Sequence, residues 1–123
     1  MSARRVRITV DDVELYAAWG DSETADAVFD SLPLTISVSY WGDEAYGTIP
    51  VQAEAEPGAS DVVEPGAVAF WPPGNCLCLF WGPTPASHGD ECRAADAVNV
   101  VGQVEDVEAL RGLRGRTMTV EAV

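Results

Sequence analysis

The sequence predicts an all-β domain: a small closed barrel of about eight strands, with one capping helix and one short helix. Three observations carry this. Short runs alternate apolar and polar residues with a period of two, and each run stops at Gly, Pro, Asp or Asn. The central run is apolar on both faces, as in a barrel wall covered from outside. One stretch near the N-terminus has helical spacing with a clear start and stop.

In chain order, Arg5–Val10 places Val6, Ile8 and Val10 on one face and Arg5, Arg7 and Thr9 on the other, the pattern of a half-buried strand. Asp11-Asp12 makes the turn, and Val13–Ala17 returns with Val13 and Leu15 inward, giving a β-hairpin. Gly20-Asp21-Ser22 breaks the alternation. Asp21 or Ser22 caps a helix whose first turn holds Glu23. Ala25, Val28, Phe29 and Leu32 form one apolar stripe over about ten residues, and Pro33 ends it. With a single stripe the helix covers an open end of the sheet. Leu34–Tyr40 alternates again, Trp41–Glu44 turns, and Tyr46–Val51 returns as a strand that Pro50 cuts short. Glu54–Asp61 reads as a surface loop. Further on, Asn99–Val104 is a strand, Glu105–Leu110 a short helix anchored by Val107 and Leu110, and Thr117–Val123 the closing strand.

Val63–Arg93 organises the chain. It holds all three cysteines, the only histidine and two of the four tryptophans, and no charged residue lies between Pro65 and Gly89. Pro72, Pro73, Gly74, Gly82, Pro83 and Pro85 exclude a membrane-spanning helix there. The run resolves into two strands, Ala67–Trp71 and Cys76–Trp81, joined by Pro-Pro-Gly-Asn. Cys76, Cys78 and Phe80 share one face, and Leu77, Leu79 and Trp81 the other.

With 123 residues and 47% hydrophobic content the chain reads as one domain, 1–123, able to bury a core of its own. Twenty Asp and Glu face seven arginines and no lysine, for a net charge of −13. Nucleic acid and anionic membranes are therefore excluded as direct partners, since both need a basic face. Two readings of the acidity compete: an ordinary acidic protein, or one adapted to a high-salt cytoplasm where repulsion is screened. The absence of lysine favours the second. Arg4, Arg5 and Arg7 are followed at once by Asp11, Asp12 and Glu14 rather than by an apolar signal segment, and three cysteines do not make a disulfide framework. The expected compartment is cytoplasmic.

The order of hairpin, capped helix, Tyr-Trp-Gly-Asp-Glu (40–44), Phe-Trp-Pro-Pro-Gly (70–74), the Gly-Pro-Thr-Pro block ending at Pro85 and Val-Asn-Val-Val-Gly-Gln-Val (98–104) resembles a family of small archaeal and bacterial proteins described as cyclophilin-like, largely without assigned function. The resemblance spans nearly the whole chain. It implies an eight-stranded barrel with a helix at each open end. It does not carry the activity over. Cyclophilins that isomerise Xaa-Pro bonds place an arginine on the barrel face, whereas the arginines here are at 4, 5, 7, 93, 111, 114 and 116, none within Leu34–Val51.

Candidate binding residues follow from side-chain chemistry. Tyr40, Trp41, Tyr46, Phe70, Trp71, Phe80 and Trp81 can line a groove or fill a core. Gly82–Glu91 is a loop stiffened by Pro83 and Pro85 that offers Thr84 and Ser87 as hydrogen-bonding groups, with Asn99 beyond it. Asp43/Glu44 and Asp90/Glu91 are adjacent acids that read first as exposed turn residues. Arg93 pairs with Asp90 or Glu91, or grips an anionic ligand. The expected ligand surface comprises Trp41, Glu44, Tyr46, Phe70, Pro83, Thr84 and Arg93. Cys76, Cys78, His88 and Cys92 match a zinc site in number but not in spacing, so no metal and no cofactor is expected; Cys76 and Cys78 read as small buried hydrophobes.

The leading functional reading is a binding module for a small molecule or peptide segment. One alternative is a peptidyl-prolyl isomerase without the usual arginine, working by desolvation and grip. Another is a structural subunit that sets an aromatic patch against a partner protein.

Overall fold

A computed structural model describes residues 4–123. The expected hairpin forms from β1 (Arg5–Val10) and β2 (Val13–Trp19), with Val10 opposite Val13. Asp11 takes the left-handed turn position, φ 53°, where a primed turn otherwise prefers glycine. Helix α1 (Glu23–Asp30) is capped by Ser22, whose Oγ accepts from the Ala25 amide at 3.1 Å. It buries Ala25 and Val28 and leaves Phe29 partly covered at the core's edge, where Leu32, just past the helix end, also packs. The indole of Trp19 donates to the Ala25 carbonyl at 3.0 Å. A buried polar clasp holds the other side: Asn99 Nδ2 donates to Thr24 Oγ1 (3.0 Å) and to the Glu54 carbonyl (2.9 Å), and Thr24 Oγ1 donates to the Glu56 carboxylate (2.6 Å). Asn99 thus serves the helix and loop rather than a ligand.

The remaining strands are β3 (Leu34–Ser37), β4 (Ser39–Tyr40), β5 (Glu44–Thr48), β6 (Ser60–Val63), β7 (Ala67–Trp71), β8 (Cys76–Phe80), β9 (Cys92–Val104) and β10 (Thr117–Ala122). Their order is β3-β10-β1-β2-β9-β7-β8-β5-β4, with β6 on β9. The expected closed eight-stranded barrel is corrected on both counts: among the described residues there are ten strands, and the hydrogen-bonded path does not close. The physical reason lies in Leu34–Tyr40. That one alternating run changes partners at Val38, with β3 pairing β10 and β4 pairing β5, so the two ends of the sheet are consecutive in sequence without a ladder between them. They still touch. A Cβ on Gly47 of β5 would lie 2.2 Å from the Ser37 carbonyl oxygen and 2.4 Å from Ile36 Cγ2.

Other boundaries differ from expectation: α1 stops at Asp30 rather than running to Pro33, and β5 covers Glu44–Thr48 rather than Tyr46–Val51. Ser60–Val63, partly assigned to a loop, is a strand, and β9 begins at Cys92 rather than Asn99. The first half of β9 pairs β6, and the second half pairs β7 and β2 after a register shift. The short helix is a single 3-10 turn, Val107–Leu110, with Leu110 buried.

The alternation predicted for β8 sorts side chains into two apolar layers. Leu77, Leu79 and Trp81 join Val6, Ile8, Phe70, Met118 and Val120 inside the sheet. Cys76, Cys78 and Phe80 join Val63, Ala69, Cys92, Ala94 and Val98 outside it, under the β6–β9 flap. Complete burial of a large aliphatic or aromatic side chain stabilises by about 1.5–3 kcal/mol, so a strand buried on both faces contributes heavily. No helix among the described residues is long and apolar enough to cross a membrane.

Candidate functional site

The outer layer does not fill completely. At its edge lies a cavity of about 220 Å³. Register explains which side chains line it. Tyr46 pairs with Cys78 and Thr48 with Cys76, while Trp71 pairs with Cys76 from the other side. Residues opposite one another share a face, and so do residues two apart. Glu44 and Tyr46 of β5, Cys76 and Cys78 of β8 and Trp71 of β7 therefore all point outward, and all line the cavity. Ala94, buried, and Ala95, exposed, of β9 complete the lining, and their small side chains leave room that larger ones would take.

Two turns set the rims. Trp41 precedes Gly42, which takes φ 62°, and a Cβ there would sit 2.8 Å from Thr84 Cα. The Asp43 amide donates to the Pro83 carbonyl (2.9 Å), the Trp81 amide to the Asp43 carbonyl (3.0 Å) and the Trp41 amide to the Glu44 carbonyl (2.9 Å). A Cβ on Gly82 would lie 2.3 Å from Asp43 Oδ2. The Trp-Gly-Asp-Glu turn and the Gly-Pro-Thr-Pro loop are thus one interlocked unit that fixes Trp41 and Glu44. On the other rim Pro72–Gly74 forms a 3-10 turn ended by left-handed Asn75. Gly74 is bare where its Cβ would strike the Trp71 ring at 2.4 Å, so the indole lies across the turn.

Glu44 is the chemical feature of the site. It is only 6% exposed, and the other cavity residues are aromatic rings, thiols and alanines, with no Lys, Arg or His among them. Burial pushes its carboxyl up to about 7, offset in part by a hydrogen bond with the Cys78 thiol. Burial and the nearby carboxyl also push the Cys78 thiol well above its ordinary range, and burial, then the same carboxyl, raises Cys76 against a lowering contact with Thr48. Neither thiol is an activated nucleophile. The Trp71 indole Nε1 is buried with no hydrogen-bond partner. A carboxyl that titrates near neutrality in an apolar cavity can hold a proton, receive one, or pair with a cation.

Of the sequence-predicted surface, Trp41, Glu44 and Tyr46 meet in this cavity. Glu44, read first as an exposed turn acid, is buried, because Trp41–Asp43 makes the turn and Glu44 begins β5. Phe70 is fully buried in the inner layer. Pro83 is exposed on the interlocked loop. Thr84 is buried but spends its groups internally: its hydroxyl donates to the Arg93 carbonyl, and its amide donates to Ser87 Oγ at 2.9 Å. Arg93 is ion-paired to Glu91 (2.9 Å), as one reading expected, and to Asp61 (2.8 Å). The amides of His88 and Gly89 and the Arg93 guanidinium hold Glu91 down at about 2. That loop is a self-bonded structural unit.

Sequence reasoning missed Ala94 and Ala95, and it placed Trp71 and the two thiols only among alternatives. The usable signal was the register of β8 against β5 and β7. All three cysteines are buried and free. Among the described residues no three His, Cys, Asp or Glu side chains are placed to hold a metal ion.

A family model described as Cyclophilin-like matches residues 4–120. The solution structure of the hypothetical protein AF2241 from Archaeoglobus fulgidus is similar to this chain at 38% identity and a TM-score of 0.80, over 96% of this chain and 93% of that one. McbB, solved in complex with tryptophan, is similar at 18% identity and a TM-score of 0.73, over 94% of this chain and 44% of that one, a likeness of fold alone. No curated protein matches the chain.

Proposed function

The chain belongs to the cyclophilin-like family, and from that premise we propose that it is a binding module for a small molecule or peptide segment, with the outer cavity as its site. One observation carries the reading: a buried carboxyl, Glu44, on the wall of an otherwise apolar, aromatic-rimmed cavity. Cavities of that make-up, mostly apolar with few convergent polar groups, are where small ligands bind. Uncompensated burial of a carboxyl costs stability, and a ligand that engages it returns part of that cost.

The structural-subunit alternative needs an aromatic patch on the surface, but among the described residues the large exposed hydrophobics are Val62, Val100 and Val123, none of them aromatic. The isomerase alternative has no observation in its favour: no arginine lines the cavity, and Phe70 is sealed in the core.

A fragment screen by NMR tests the proposal, with the Trp41 and Trp71 indole N–H signals as reporters. Hits that shift both signals, and that Ala95→Trp abolishes in a protein melting at the wild-type temperature, are the expected result. Hits indifferent to a tryptophan filling the cavity sink the reading.

A further inference from the structure

We propose that the cavity selects a small organic cation, with its ammonium group on the Glu44 carboxylate and its body among the rings of Trp41, Tyr46 and Trp71. This rests on the binding-module reading and narrows it. The argument begins with what Glu44 lacks. Glu44 is only 6% exposed, so its carboxyl meets water only through the cavity, no cationic side chain among the described residues lines that cavity, and the polar group beside the carboxyl is the Cys78 thiol. A neutral apolar ligand would displace water and leave the acid without a partner, which is the costly outcome for a buried charge. An anion would meet Glu44 directly and a net charge of −13 at longer range. A metal ion lacks a converging set of ligands among the described residues. An ammonium group meets each condition at once. It pairs with the carboxylate through charge-assisted hydrogen bonds, and it is drawn to the negative faces of aromatic rings.

One further observation shapes the ligand. The volume, about 220 Å³, equals that of about seven waters in the liquid and is below the usual range for drug-sized ligands. One ring with a short amine-bearing arm fills it, and a peptide segment of several residues exceeds it. The interlocked turns hold Trp41 and Glu44 in place beforehand, so little ordering cost falls on binding.

The test compares three probes of matched shape at pH 8 and constant ionic strength: phenethylamine, 2-phenylethanol and phenylacetate. Binding is read from the Trp41 and Trp71 indole signals of the full chain. The amine is expected to bind at least about tenfold more tightly than the alcohol, with the carboxylate weakest. Glu44→Gln should weaken the amine by a similar factor and leave the alcohol within about twofold. Equal binding of alcohol and amine, or an amine affinity unmoved by Glu44→Gln, overturns the cation assignment while the cavity stands as a binding site. Failure of all three probes to move either indole signal overturns this inference and counts against the cavity itself. Should Glu44→Gln not fold, the ranking of the three probes on the wild-type protein decides the matter alone.

Discussion

At the residue scale, Glu44 couples the site to stability. Its folded-state value of about 7 lies above its ordinary 4.5. Between those values the folded chain holds a proton that the unfolded chain has released, so the folded state binds more protons and stability falls as pH rises. The stabilisation is fully present below about 4.5 and lost as pH passes 7. Its size is on the order of 2 kcal/mol, less than the full linkage value because the cavity admits water. Glu91 acts with the opposite sign: its value near 2 means that its contribution is lost as pH falls from 4.5 toward 2. The two windows do not overlap. Chemical denaturation of wild type and Glu44→Gln between pH 5 and 8 should therefore show a wild-type decline that the variant lacks, with the variant the more stable at pH 8. Parallel curves would mean that the carboxyl is not desolvated as its burial indicates. The same residue shows how a site hides in sequence. Asp43 and Glu44 look like a polar turn, and nothing local says that the first acid faces Gly82 while the second begins a strand and turns into an apolar layer.

At the element scale, the molecule depends on close approaches where two pieces of backbone meet. Gly47 is the sharpest case, because the atom that a Cβ would strike at 2.2 Å is the Ser37 carbonyl oxygen, which no rotamer change can move. Gly47→Ala should cost about 3 kcal/mol, the upper end for overpacking, by parting β3 from β5 where the ends of the sheet meet. Gly58→Ala, with nothing within 4 Å of the added methyl, is the matched control and should stay within about 0.5 kcal/mol of wild type. Urea midpoints compare the two, and a small effect at Gly47 would mean that the ends of the sheet are free to separate. Elements of this fold were legible wherever period-two alternation was unbroken. The hairpin, a helix cap at Asp21 or Ser22 and the two faces of β8 were read from side-chain order alone, and the structure assigns the cap to Ser22. The partner switch at Val38 was not legible, since alternation continues straight through it. The first half of β9 was missed because Arg93-Ala-Ala-Asp-Ala carries too little apolar contrast to mark a strand. Ala94 and Ala95 line the cavity from that segment, so losing the strand meant losing part of the site.

At the scale of the whole molecule, charge decides how the chain should respond to salt. Seven arginines face twenty acids, and among the described residues Arg4, Arg5, Arg7, Arg93 and Arg111 form ion pairs with Asp26, Glu105, Glu121, Asp61, Glu91 and Glu108. Salt acts on this surface in two directions. It weakens the pairs, each worth at most about 1 kcal/mol when exposed. It also screens repulsion among the acids in excess, shrinking the reach of each charge from about 10 Å at 0.1 M to about 3 Å at 1 M. With acids outnumbering arginines so heavily, the second effect dominates. Thermal melts in 0.1 M and 2 M KCl should therefore differ by roughly 5 °C or more in favour of high salt. Sucrose at matched osmolality separates screening from general exclusion of solute from the surface. A melting temperature flat or falling with KCl would return the acidity to an ordinary compositional bias. The rise, if sucrose does not reproduce it, marks a surface built for a saline interior, and it sets the ionic strength at which ligand affinities at Glu44 should be measured.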